Sequence, residues 1–231
     1  MKIVAVAVFL LTYALIASRQ LRWLPIGRPA GALLGAVLTI AVGLLSPADA
    51  YAAIDHNTIA LLFGMMIITA FLERAGFFSQ VAQTVLTLCR TPWRLLWVLS
   101  ALAALLSALL VNDTVCVFMT PIVVVTCRRA RLPLGPYLIA LATSANIGSA
   151  ATLVGNPQNM IIGSISGIPF ASFLLRCGPA ALVGWLVNCG LLWLYYRRQL
   201  PALFDTTVEV TPARPRELIW VSCVLVGVVA G

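Results

Sequence analysis

The chain has 231 residues, of which 61% are hydrophobic and 10% charged, with a mean hydropathy of +1.03. A soluble domain carries about 25% charged residues, so this composition excludes a water-soluble globule and describes an integral membrane protein. The net charge of +8 lies between apolar runs, where it reads as cytoplasmic loop charge and excludes nucleic acid as a partner.

Apolar runs of spanning length fall at 2–18, 29–45, 57–72, 135–163 and 173–196, with the start of another at 218–231. The first reads as a retained helix. Only Lys2 precedes it while Arg19 and Arg22 follow, and a secretory leader has its charge in front and a small-residue cleavage site behind. The next loop holds Asp49, Asp55 and His56 and no basic residue. By the positive-inside rule the first loop is cytoplasmic and the second outside. The third span returns to the cytoplasm at Glu73 and Arg74.

Residues 76–90 are too polar to span. Phe77, Val81, Val85 and Leu88 share one helical face, which predicts an amphipathic helix, either on the cytoplasmic surface or as a linker packed against the protein. Residues 95–127 form one long apolar stretch with Asn112-Asp113-Thr114 near its middle. Arg90 and Arg94 precede it, and Arg128, Arg129 and Arg131 follow. Both flanks prefer the cytoplasm, and two full spans would need about 34–40 residues plus a turn. The stretch therefore reads as a re-entrant hairpin over 93–130; two short spans joined by an outside turn are the alternative.

Residues 135–163, interrupted by the run Ser144 to Asn159, then lead outward, and 173–196 return. All Lys and Arg except Lys2 and Arg176 fall on the cytoplasmic side, with 197–217 as a cytoplasmic linker. The fold expected is an all-α membrane protein of about five transmembrane helices, a re-entrant hairpin and one broken helix. Five crossings are an odd number, so a following copy would be inserted upside down. Residues 1–196 thus read as the first of two inverted-topology repeats, and 218–231 as the truncated start of the second.

The two interruptions carry the chemistry. Lipid cannot satisfy the backbone of a broken helix, so such segments are buried in protein or line a polar site. At a hairpin tip one helix offers carbonyls to a cation and the other amides to an anion. Asn112, Asp113 and Thr114 would lie there, either as ligands or as caps of the second arm. Asp113 is the carboxylate placed deepest in the membrane and a candidate proton site. Ser107 would add a hydroxyl to a cation shell. Gly148, Thr152, Asn156 and Asn159 would share one polar face if the segment stays helical. There Pro157 frees the carbonyl of Leu153. Asn146, Asn156 and Asn159 are too polar to be explained by small-residue packing. The candidate substrate residues are Asn112, Asp113, Thr114, Asn146, Asn156 and Asn159. The candidate coupling residues are Ser107, Asn112, Asp113, Gly148 and Thr152.

The cysteines Cys89, Cys116, Cys127, Cys177, Cys189 and Cys223 show no C-x-x-C spacing and read as small core residues. His56 is the single histidine, and neither H-E-x-x-H nor G-x-S-x-G occurs. An enzyme, a resident metal and a cofactor other than a coupling ion are not expected.

Leu110 through Thr114, Thr120-Pro121-Ile122-Val123 and Ser144 through Asn159 resemble the ion transporter superfamily. That group includes divalent anion–sodium symporters, citrate–metal transporters and arsenite–antimonite efflux permeases. The resemblance implies a scaffold and a transport domain, two inverted repeats and a homodimer. In its sodium-coupled members a Ser-Asn-Thr motif at the hairpin tip binds Na⁺ and a substrate carboxylate. Asn112 matches that asparagine, Ser107 an upstream cation ligand, and Gly148 and Thr152 the broken helix. Val111 stands where the pattern has serine, and Asp113 intervenes before Thr114, as is more typical of arsenite-type members.

The function expected is a secondary active transporter moving a small carboxylate or oxyanion across the plasma, or bacterial inner, membrane. It would be coupled to Na⁺ or H⁺ and work by alternating access. A metalloid or proton-exchange permease, a passive channel, and a subunit or fragment needing a missing C-terminal half are the alternatives.

Overall fold

The computed structural model describes residues 2–17, 27–78, 80, 81, 89 and 91–200. Among them are nine α-helices and no strand: α1 (Lys2–Ala17), α2 (Arg28–Ala41), α3 (Pro47–Ala52), α4 (His56–Arg74), α5 (Pro92–Leu109), α6 (Asn112–Arg129), α7 (Leu134–Ser149), α8 (Pro157–Ser166) and α9 (Phe170–Tyr196). The linker beyond Leu200, the start of the second repeat, Arg19, Arg22, Cys223 and most of the 76–90 helix lie outside the described residues. The chain divides into two units, Met1–His56 and Asn57–Gly231.

In the first unit α1 packs on α2. Gly31 and Gly35 face Leu15 and Thr12 so closely that a methyl group at Gly35 would overlap the Thr12 side chain. The expected second span ends early, at Ala41. The loop after it contains α3, started by Ser46, whose hydroxyl accepts from the Asp49 amide at 3.1 Å, and by Pro47 at the first position. His56, expected in that loop, instead begins α4.

In the second unit α7 is the central helix, packed against α5, α6 and α9. Tyr137, Ala140, Leu141 and Ala145 of α7 are fully buried. The Tyr137 hydroxyl donates to the Pro92 carbonyl at 3.0 Å and ties the start of α7 to the start of α5. Helices α4, α5 and α9 are long and apolar enough to cross a membrane. Phe63, Phe71, Leu175 and Leu191 on α4 and α9 point outward, a face that lipid solvates.

The interrupted stretch at 95–127 is a helical hairpin. Thr91 caps α5 by accepting from the Arg94 amide at 3.2 Å, and Pro92 occupies the first helical position. The chain turns at Leu110 and Val111, and α6 begins at Asn112. Each arm has 18 residues and so is about 27 Å long. The cap of α6 is Val111, with no side-chain hydrogen bond, so Asn112, Asp113 and Thr114 are first-turn residues and not caps.

The helix at 135–163 is broken as expected, but not into one continuous polar face. Residues 150–156 are non-helical, so Thr152 lies in the break and Asn156 caps α8. Pro157 is the first residue of α8, a position whose amide has no helical partner. It therefore frees no carbonyl at Leu153. Of the expected surface helix, Phe78 is 3% exposed and stacks on Phe118 of α6 with ring centroids 5.3 Å apart. Its described start thus packs against the second arm. Cys89 is fully buried; burial pushes its thiol above the usual range, against a smaller lowering by Arg94. Cys127 and Cys189 are buried as well, and the described cysteines are free thiols.

Candidate functional site

The hairpin tip and the break in the α7–α8 segment meet. The backbone amide of Asn112 donates to the Gly155 carbonyl at 3.0 Å. Its side-chain amide donates to the Asn146 side-chain oxygen at 2.8 Å. The Thr152 hydroxyl donates to the Ala108 carbonyl, near the end of α5. Gly148 lies against the Ala104 backbone, where any Cβ would overlap the Ala104 carbonyl. One residue type explains each contact: asparagine both donates and accepts, and only glycine lets two helix backbones approach this closely.

The break is held by its own side chains. The Asn156 side-chain oxygen accepts from the Asn159 amide at 2.8 Å. The Asn159 side chain donates to the carbonyls of Thr152 at 2.8 Å and Ser149 at 3.2 Å. Asn156 reaches the same Ser149 carbonyl at 3.3 Å. Gly155 closes the loop so tightly that a Cβ would fall 2.7 Å from the Ser149 Cα. Asn156 and Asn159 therefore satisfy backbone groups that would otherwise be orphaned inside the protein.

Four helix ends converge at this junction: the C-termini of α5 and α7 and the N-termini of α6 and α8. The first pair presents partial negative charge and the second partial positive charge. Ser107, two residues before the end of α5, is fully buried, and its hydroxyl has no hydrogen-bond partner among the described residues. A buried hydroxyl without a partner costs about 1–3 kcal/mol, so this oxygen is available to a ligand. Asp113 is exposed and Thr114 half-buried in the first turn of α6. The Asp113 carboxylate makes no hydrogen bond or ion pair among the described residues. It shares its face of α6 with the exposed Val117 and Pro121. The junction thus brings Asn112, Asn146, Gly148, Thr152, Asn156 and Asn159 into one connected unit, with Ser107 buried beside it. Asp113 and Thr114 stand at its edge. No group of three or more His, Cys, Asp or Glu among the described residues is placed to hold a metal ion.

One polar cluster escapes the sequence reading. The Ser100 hydroxyl lies 2.6 Å from that of Ser144 and 3.6 Å from the Cys189 sulfur, and it accepts from the Trp185 indole at 3.0 Å. Ser144 accepts from the Asn188 side chain at 3.1 Å. Trp185 and Asn188 are the fixed donors of the network, and the Ser100–Ser144 and Ser100–Cys189 contacts can each be donated from either side. This network joins α5, α7 and α9. Asn188 was its visible mark, a lone amide in the apolar run 173–196.

The sequence profile of the citrate transporter family (CitMHS) matches residues 12–231. The silicon efflux transporter LSI3 of Oryza sativa subsp. japonica is 43% identical over 197 residues, 85% of this chain and 41% of that protein. A Dictyostelium discoideum protein named arsB is 35% identical, over 84% of this chain and 35% of its own. A 46 kDa membrane protein of Mycobacterium leprae is 34% identical, over 95% of this chain and 49% of its own. The chain spans about a third to a half of the length of these relatives. With its apolar helices and its hairpin joined to a broken helix, the chain is an integral membrane protein that belongs to the citrate transporter family.

Proposed function

We propose that the chain supplies the first inverted repeat of a secondary active transporter for a small carboxylate or oxyanion, driven by Na⁺ or H⁺ across the cytoplasmic membrane. The observation that carries the reading is the junction itself. Two helix C-termini, two helix N-termini and the unpartnered Ser107 hydroxyl meet at one point, which offers a cation carbonyl dipoles and an anion amide dipoles. Ser107, Asn112, Gly148 and Thr152 would surround the coupling ion. Asn112, Thr114 and Asn146 would face the substrate, with Asn156 and Asn159 holding the break in shape. The hairpin is read as re-entrant from the arginines that flank both arms.

The Ser100–Ser144–Asn188 network supports a moving unit that includes α9 as well as the hairpin and broken helix. The remaining helices would form the scaffold, a second repeat would complete the site, and the full-length protein would be a homodimer.

A metalloid or proton-exchange permease is the second reading. Val111, where sodium-coupled members carry serine, is 5% exposed and offers no side-chain oxygen, whereas Asp113 presents an exposed carboxylate. The rice relative is named for silicon efflux. Proteoliposomes test both readings, using labelled citrate, arsenite and silicic acid under imposed Na⁺ or pH gradients. Saturable accumulation above the outside concentration, abolished by collapsing one gradient, is expected. Flux that only equilibrates, unaffected by either gradient, would identify a passive channel instead.

A further inference from the structure

From the cleft at the C-terminal end of α9 we infer a binding site for one anionic phospholipid, with its phosphate at Arg197 and Arg198. The cleft, of about 660 Å³, opens between α7 and α9. Its wall is apolar, made by Ile139, Leu191 and Leu194, which are 46%, 60% and 56% exposed. Its rim is polar, with Tyr195, Arg197 and Arg198. The Arg197 guanidinium lies over the Trp193 ring, 5.4 Å from its centroid, which orients the charge. No carboxylate among the described residues pairs with either arginine.

Depth and charge both select a lipid. α9 has 27 residues and is about 40 Å long, longer than the roughly 30 Å hydrocarbon layer. Its final turn, with Trp193, Tyr195 and Tyr196, therefore reaches the headgroup zone that such aromatic residues favour. The starts of α5 and α7 and the end of α6 lie at the same end of the bundle, where Arg94, Arg128 and Arg131 add further positive charge. An acyl chain lies along Leu191, Leu194 and Ile139, while the phosphate takes the two guanidinium groups, a planar donor set suited to phosphate oxygens. A free phosphate would leave the apolar wall uncovered, and a zwitterionic lipid would bring its own cation beside the two guanidinium groups.

The test counts lipids retained on the purified chain by native mass spectrometry during titration with phosphatidylglycerol or phosphatidylcholine. One phosphatidylglycerol should bind saturably, phosphatidylcholine should not, and millimolar inorganic phosphate should not displace it. Arg197→Gln/Arg198→Gln should weaken binding roughly 30-fold. Ile139→Trp fills the cleft, leaves both arginines and membrane orientation untouched, and should abolish binding. Equal retention by wild type and both variants, equal retention of the two lipids, or displacement by inorganic phosphate would overturn the site. So would a dimer that excludes the lipid, which would assign the cleft to a second copy.

Discussion

Asn112 at the hairpin tip donates its side-chain amide to Asn146 of α7 at 2.8 Å, while its backbone amide binds Gly155 at 3.0 Å. One residue therefore joins the tip both to α7 and to the break that follows it. This explains an asparagine there: the backbone bond needs no particular side chain, but the side-chain bond needs a short donor at the first position of α6.

Asn112→Ala and Asn146→Ala should each lower stability by about 0.6–1.7 kcal/mol, the range for hydrogen bonds between helices in a membrane. The double variant should cost little more than the worse single one. Unfolding titrations of the four proteins measure the coupling, and strict additivity would mean that the contact contributes nothing.

Gly148→Val should destabilise by about 1–3 kcal/mol through overpacking, because its side chain would run into the Ala104 backbone. Gly135→Ala is the control: a methyl there meets nothing within 4 Å, and its melting temperature should match wild type or exceed it.

Much of this junction is written in residue types. Asn112-Asp113-Thr114 interrupts an apolar stretch between two arginine clusters, so a turn there is forced by composition alone. Thr91-Pro92 and Asn156-Pro157 each place a capping oxygen before a residue that needs no amide partner, and both begin helices. What stays hidden is pairing between distant segments. The Asn112–Gly155 bond is made by two backbone groups and leaves no mark in residue identity. Val111 gives no warning that it caps α6, because the acceptor that replaces its missing side-chain oxygen is the Gly155 carbonyl, from the distant break in the α7–α8 segment. Thr152 and Asn156 have helical spacing, yet they hold a loop, since their side chains bond to Ala108 and Ser149 in preference to facing one groove.

Ser144→Ala should destabilise by about 1–3 kcal/mol, because it strips the Asn188 amide of its acceptor inside the protein. Cys189→Ala removes only a 3.6 Å sulfur contact and should cost less. Thermal melts of the two variants in the same detergent rank them, and the reverse order would refute the Asn188–Ser144 bond as the stronger tie.

Asp113→Asn keeps the size of the side chain and removes its charge. A proton-coupled carrier with this variant should lose pH-driven accumulation while retaining substrate exchange. Undiminished pH-driven accumulation would exclude Asp113 as the proton site.

The ion dependence of thermal stability tests the central claim most directly, with wild type and Ser107→Ala melted in Na⁺, in choline and across a pH series. If the junction holds the coupling ion, the ion at ten times its dissociation constant should raise the wild-type melting temperature by about 3–6 °C. That shift should vanish in Ser107→Ala. The same shift in both proteins, or none under any ion or pH, would contradict a coupling site at the hairpin tip.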